Sequence, residues 1–253
     1  MTNVLEIEKL GIDFGGLTAV NNLSMYVAQK EIVGLIGPNG AGKTTVFNLL
    51  TKVYEPSRGK IYLAGEDTDK LDTIEINKKG IARTFQNIRL FNELSVLDNV
   101  LVGMNNSITY TTADSIFRTS KFYKQEKQSE EKAIELLKIF DLDKFADIKA
   151  SSLPYGAQRR LEIARALATN PKILLLDEPA AGMNPQETEE LMNTIKFVRD
   201  KFNICILLIE HDMNLVMNIC ERIYVLNYGT LLAKGSPEEI KNNPDVIKAY
   251  LGD

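Results

Sequence analysis

The sequence contains no tryptophan, a single histidine and only two cysteines in 253 residues. Cys205 and Cys220 form neither a C-x-x-C pair nor a disulfide framework, and each lies in an apolar stretch. They are expected to be buried and to pack as small hydrophobes. Long apolar runs are also missing. The longest has six residues, 204–209, where a membrane-spanning helix needs about 20, so the chain is not expected to cross a membrane unaided. Positive charge is not in excess. Thirty Lys and Arg against 34 Asp and Glu leave a net charge of -4, which argues against a protein held to nucleic-acid phosphates. The start Met1-Thr2-Asn3-Val4-Leu5-Glu6 has no basic region followed by an apolar one. That predicts a chain without a signal peptide and a cytoplasmic location. No internal repeat, low-complexity tract or flexible linker is visible. What remains is ordinary globular composition, 44% hydrophobic and 25% charged, so disorder is not expected. At about 150 residues per domain the length suits one to two domains and is enough for a core without disulfides.

Two segments alternate apolar with polar residues, 5–9 and 23–27, as strands with one wet face do. Segments 32–36, 173–176 and 204–209 are apolar throughout, which suits internal strands of a parallel sheet. Between about 92 and 160 the pattern turns helical. Ile134, Leu137 and Phe140 recur at spacing three with Leu136 beside them, and long polar connections such as 105–114 interrupt it. This predicts a helical insertion of roughly 70 residues in an α/β domain, with the α/β pattern resuming after about Leu161. Near the end, Ser236-Pro237-Glu238-Glu239 and Asn243-Pro244 announce two helices, each with a cap and a proline at the first helical position.

After the buried segment 32–36 comes Gly37-Pro38-Asn39-Gly40-Ala41-Gly42-Lys43-Thr44, then Thr45-Val46-Phe47-Asn48-Leu49-Leu50, which suits a helix. Strand, G-x-x-x-x-G-K-[ST] loop and helix together make a phosphate-binding loop. Glycines let consecutive backbone N–H groups turn toward one point without a Cβ clash, and with the helix N-terminus they form an anion nest. Lys43 is placed to reach the β- and γ-phosphates, and the Thr44 hydroxyl to ligate Mg²⁺.

Lys172-Ile173-Leu174-Leu175-Leu176-Asp177-Glu178 sets two acids at the end of a buried strand. Asp177 suits the Mg²⁺ shell, and Glu178 suits a general base that polarises water. Adjacent strand residues point to opposite faces, so the backbone must turn at Glu178. Pro179 directly afterwards is consistent with such a turn.

The stretch Leu153-Pro154-Tyr155-Gly156-Ala157-Gln158-Arg159-Arg160-Leu161-Glu162-Ile163-Ala164-Arg165 precedes these acids. The order of phosphate loop, Gln86, 153–160, Asp177-Glu178 and His211 resembles the ATP-binding cassette (ABC) transporter ATPases over essentially the whole chain. Asp177-Glu178-Pro179-Ala180-Ala181-Gly182-Met183-Asn184-Pro185, Glu210-His211-Asp212-Met213 and the ending Asn243-Pro244-Asp245-Val246-Ile247-Lys248-Ala249-Tyr250-Leu251-Gly252 resemble the LivG-type ATPases of branched-chain amino-acid importers.

The resemblance implies a P-loop NTPase (RecA-like) α/β core with an antiparallel β subdomain and an inserted helical subdomain, all within one ATPase domain over 1–253. The core would comprise 1–91 and 161–235, the helical subdomain 92–160, and a helical tail 236–253. It implies ATP and Mg²⁺ as ligands. Phe14 would stack on adenine, and Gly37 to Thr45 would hold the phosphates. Thr44, Gln86 and Asp177 would complete the Mg²⁺ shell, and His211 would contact the γ-phosphate. Tyr155 and Gly156 would act in trans on the phosphate held by a partner subunit. Pro154, Tyr155 and Ala157 depart from the family's Leu-Ser-Gly-Gly-Gln, so the serine hydroxyl contact is lost. Asn184 stands where many relatives carry Asp, and it also reads as a helix cap with Glu187. The implied partners are a second copy or a related ATPase, integral permease subunits docking near 86–94 on Leu90, Phe91 and Leu94, and indirectly a substrate-binding protein, with no nucleic acid. The implied location is peripheral, on the inner face of the cell membrane. An amide importer or a lipopolysaccharide exporter would share the same motifs. A guanine-reading Asn-Lys-x-Asp is not matched by Asn77-Lys78-Lys79-Gly80, which disfavours a GTPase. Repair and translation cassettes usually carry two cassettes or a long coiled coil, and neither fits in 253 residues.

Overall fold

The computed structural model describes residues 3–251; the Met1-Thr2 start and the Gly252-Asp253 end read above lie outside the described residues. The chain forms two compact units, one from residues up to Gln86 together with those from Lys172 onward, the other from Asn87–Pro171. Among the described residues no helix is long and apolar enough to cross a membrane.

The first unit contains two sheets. Its strands are β1 (Asn3–Phe14), β2 (Leu17–Ala28), β3 (Ile32–Ile36), β4 (Arg58–Leu63), β5 (Glu66–Asp67), β6 (Ile81–Arg83), β7 (Ile173–Asp177), β8 (Cys205–Ile209), β9 (Arg222–Asn227) and β10 (Thr230–Gly235). The segments apolar throughout become the middle of the larger sheet, ordered β10-β9-β3-β8-β7-β6. Every residue of β3, β7 and β8 is buried, as parallel strands covered on both faces require. Pairing is parallel from β9 through β6, and β10 returns antiparallel on β9.

The smaller sheet, β2-β1-β4-β5, is antiparallel. Here β1 and β2 run well beyond the alternating segments 5–9 and 23–27. Register shifts between Ile7 and Leu10, and again between Leu10 and Ile12, break the period of two, with Lys9 at φ 48°. Such bulges flip the face on which later residues point, so a simple alternation loses the strand midway. The inner residues of both sheets, among them Leu5, Ile12, Val27, Leu35 and Leu207, share one core with Phe47 of the helix that follows β3.

Helices α1 (Lys43–Leu50) and α2 (Thr73–Lys79) also belong to this unit, whereas α3 (Val96–Gly103), α4 (Thr112–Ile116), α5 (Ser120–Ile139) and α6 (Tyr155–Leu167) belong to the other; α7 (Pro185–Phe202), α8 (Met213–Ile219), α9 (Pro237–Lys241) and α10 (Pro244–Leu251) complete the first. The predicted caps are in place. Asn184 with Glu187 and Ser236 with Glu239 form capping boxes, and the Asn243 side chain accepts from the Asp245 and Val246 amides at 2.9 and 3.2 Å.

The helical unit extends further than the 92–160 expected. A boundary at 160/161 falls inside α6, one continuous helix whose Arg159, Leu161, Ile163 and Ala164 are all buried. The buried stripe of α5 is Ala133, Leu136 and Leu137, continued by Phe140, and Ile134 is only half-buried. The polar connection 105–114 contains a short 3-10 turn and the capped start of α4.

Candidate functional site

Residues 37–42 connect the end of β3 to the start of α1. Two glycines there are fixed by geometry. Gly37 has φ 151°, and a Cβ on it would lie 2.1 Å from the Leu226 carbonyl oxygen; Gly42 has φ 101°, and its Cβ would lie 2.7 Å from the Ala19 carbonyl oxygen. The loop thus rests directly on β2 and β9, where a side chain has no room. The β9–β10 turn adds a hydrogen bond, Gly229 N–H to the Ala41 carbonyl at 3.0 Å. No side chain among the described residues caps α1, so its first N–H groups are left for an anion.

Lys43 opens α1 and is buried, its Nζ donating to the Gly37 and Pro38 carbonyls at 2.7 and 3.0 Å. Burial pushes its ammonium below the usual lysine value, while Glu178 and Asp177 pull it back up. A cavity of about 370 Å³ opens at the loop, lined by residues 17–19 and 39–45, Glu178, His211, Tyr228 and Gly229.

Glu178 stands at the end of β7 with φ 48°, the left-handed turn that the adjacent acids required. Its Oε2 accepts from Gln86 Nε2 at 2.6 Å, and His211 Nε2 lies 3.0 Å from Oε1. With its proton on Nε2, the imidazole donates. A carboxylate has about four acceptor sites, so these two bonds orient Glu178 and leave capacity for a water. The preceding acid, Asp177, is buried and paired to Arg83, whose Nη2 donates to Oδ2 at 2.7 Å while Nη1 donates to Asn48 Oδ1 at 2.7 Å. The Arg83 guanidinium also lies 5.5 Å from the Phe47 ring and 5.0 Å from the Phe85 ring. It therefore ties α1, β6 and β7 together at one end of the sheet.

The donor set fits Mg²⁺. Thr44, Gln86 and Asp177 offer hard oxygens, and among the described residues no group of three His, Cys, Asp or Glu could enclose a metal ion. Mg²⁺ keeps waters and takes one or two carboxylates plus substrate phosphates, rather than an all-protein cage.

The structure brings Lys43, the loop, Gln86, Glu178 and His211 together. Phe14 lies at the end of β1, 43% exposed, with its ring 5.2 Å from that of Tyr54 and edge-on at 73°; it is not part of the cavity lining. Tyr155 and Gly156 lie in the helical unit. There Pro154 is the N-cap of α6, with Tyr155 and Gly156 as its first two residues. Tyr155 is exposed. Behind this end of α6, Arg159 Nη1 donates to Glu162 Oε2 at 2.8 Å, both side chains buried, and Glu162 Oε1 accepts the Arg89 amide at 3.2 Å. Phe91 and Leu94 are exposed and Leu90 half-buried. Asn99 bonds both the N–H and the carbonyl of Phe91, at 2.9 and 3.0 Å.

Sequence reasoning missed Arg83 and Glu210. Glu210 is a charged residue directly after a six-residue apolar run, a signal available but unused. Arg83 gave none, since its partner lies 94 residues away.

The profile described as ABC transporter matches residues 20–181, and one described as branched-chain amino acid ATP-binding cassette transporter matches 230–253. The high-affinity branched-chain amino acid transport ATP-binding protein BraF of Pseudomonas aeruginosa is 49% identical over 250 residues, covering 99% of this chain and 98% of its own. The LivG protein of Escherichia coli, of the same description, is also 49% identical over the same shares. The lipopolysaccharide export system ATP-binding protein LptB of Acidithiobacillus ferridurans is 36% identical, over 100% and 98%. Among solved structures, an ATP-binding cassette of an ABC transporter in its ADP conformation superimposes with a TM-score of 0.86 at 31% identity, over 100% of both chains. A dimeric cassette bound to ADP and Pi gives 0.76 at 26%, over 92% of this chain and 98% of that one.

Proposed function

The chain belongs to the ABC transporter ATPases, and on that premise we propose that Glu178 is the general base of its ATP hydrolysis, held in place by Gln86 and His211. The protein is an ATP-binding and ATP-hydrolysing transporter subunit that dimerises on ATP to drive a membrane permease. One observation carries the assignment of the base: Glu178 leaves β7 in a left-handed turn, borders the phosphate-loop cavity and accepts hydrogen bonds from both Gln86 and His211.

Hydrolysis needs water placed in line with the γ-phosphate and neutralisation of charge on the phosphoryl oxygens. The amides of 40–45 and the α1 N-terminus receive the phosphates, and the Lys43 ammonium swings from the Gly37 and Pro38 carbonyls to the β- and γ-oxygens. Glu178 takes the proton of the attacking water. His211 and Gln86 fix the carboxylate; the second N–H of Gln86 donates to the water, and the single Nε2–H of His211 passes from Glu178 to the γ-phosphate as the triphosphate enters. Thr44, Asp177 and Gln86 would hold Mg²⁺, which would supply positive charge to offset that of the phosphoryl oxygens. Phe14, backed by Tyr54, offers an aromatic face to adenine. Tyr155 and Gly156 of a second subunit close the site over the γ-phosphate with the first amides of α6.

The transported class is branched-chain amino acids, on import. This reading is supported by 49–50% identity to ATPases so described, against 36% to an exporter ATPase, and by the match at 230–253. The partner is a second copy or a related ATPase, and the segment 86–94 with Leu90, Phe91 and Leu94 takes the permease. The chain then sits peripherally on the inner face of the cell membrane, served indirectly by a substrate-binding protein. Glu178→Gln tests the base. ATP binding should persist within about threefold, while kcat falls about 100-fold or more; an unimpaired steady-state rate would remove Glu178 from that role.

A further inference from the structure

Glu210 follows β8 and is 3% exposed. Its two carboxylate oxygens serve different loops. Oε1 accepts the Ala180 N–H at 2.7 Å, two residues past Glu178, whereas Oε2 accepts the N–H groups of His211 and Asp212 at 2.9 and 3.3 Å. The Glu178 N–H also donates to the Ile209 carbonyl, at 2.9 Å. Glu210 is not itself part of the cavity lining, and it reaches His211, which is, through the backbone N–H.

We propose that Glu210 is a positioning residue. Its buried carboxylate clamps the turn carrying Glu178 to the loop carrying His211 and so sets the 3.0 Å contact between those two side chains. The proposal rests on the reading of Glu178 and His211 as the groups that act on water and γ-phosphate. Burial holds this carboxyl above the usual glutamate value and the Ala180, Asp212 and His211 amides oppose it; N–H groups facing the ionised form make charge-assisted bonds, stronger than neutral ones. A carboxylate is the one side chain of this size that accepts on both oxygens. A glutamine offers one acceptor and one NH₂, so whichever way it turns, one loop meets a donor facing a donor. An aspartate is one methylene too short to reach both loops.

Glu210→Gln in the full chain should lower kcat for ATP about 10- to 100-fold. The KM for ATP and the affinity for a fluorescent ATP analogue should change less than threefold, because the phosphate loop is untouched. Because Glu210 acts through Glu178, adding Glu210→Gln to Glu178→Gln should cost less than twofold more. A rise in KM matching the fall in kcat, an unchanged kcat, or an additive loss in the double variant would each overturn the clamp. The base reading is judged separately by Glu178→Gln alone. If that variant is inactive while Glu210→Gln keeps full kcat, only the clamp fails; if Glu178→Gln is fully active, the base reading itself has failed. Should Glu210→Gln not fold, amide exchange in the wild-type chain decides. The Ala180 amide should exchange as slowly as those of β8, and exchange at the rate of an open loop would contradict the clamp.

Discussion

The lone histidine is recruited to the site, whereas the cysteines are not. Cys205 is fully buried and Cys220 is 6% exposed; burial pushes the Cys205 thiol up to about 12 and Cys220 higher still. Only thiolates react readily, so neither thiol should react with a disulfide reagent in the folded chain at pH 8. Two thiols should appear in denaturant, and rapid titration of one in the native protein would show that β8 or the end of α8 opens. Individual residues also mark the limit of what the sequence discloses. Lys43, Thr44, Asp177, Glu178 and His211 sit in ordered motifs whose chemistry demands those residue types. Arg83 and Glu210 work through partners 94 and 30 residues away, distances that only the folded sheet makes short.

Among the elements, β3, β7 and β8 were legible because burial on both faces demands unbroken apolar runs. The ends of β1 and β2 were not, because the shifts near Lys9 reverse the alternation. Helix α6 carries a further consequence. Its Arg159–Glu162 pair is buried at 0% and 1% exposure, and removing one partner takes a charge-assisted bond from the other inside the core. Glu162→Leu should therefore lower the unfolding free energy by about 3 kcal/mol or more, and Arg159→Met with Glu162→Leu should recover most of it. Urea denaturation measures both, and a double variant as unstable as the single would refute the account. The α9 cap gives a pH test. Backbone and side-chain hydrogen bonds from Ser236 hold Glu239 below the usual glutamate value. An acid depressed in the native state stabilises above its unfolded value, and that contribution disappears as pH falls through the lowered native one. Protection of the α9 amides should thus hold at pH 6 and decline below about pH 4; protection that rises on acidification would reverse the sign.

At the scale of the molecule, the first unit carries the phosphate loop, both acids, Gln86 and His211, whereas Tyr155 and Gly156 belong to the second unit at the start of α6. Under the proposed function Tyr155 and Gly156 serve a neighbouring subunit, and Tyr155 is exposed. The division into an α/β core and a helical insertion was legible from the change in hydrophobic period near residue 92. Its C-terminal boundary was not, because nothing in the sequence of α6 marks a break and the helix has none. The most direct test is the solution mass of Glu178→Gln under saturating ATP and Mg²⁺, measured by light scattering. The account predicts a persistent species of twice the 28.3 kDa chain mass that hydrolyses ATP hardly at all; a monomer that binds ATP and turns it over at the wild-type rate would contradict it.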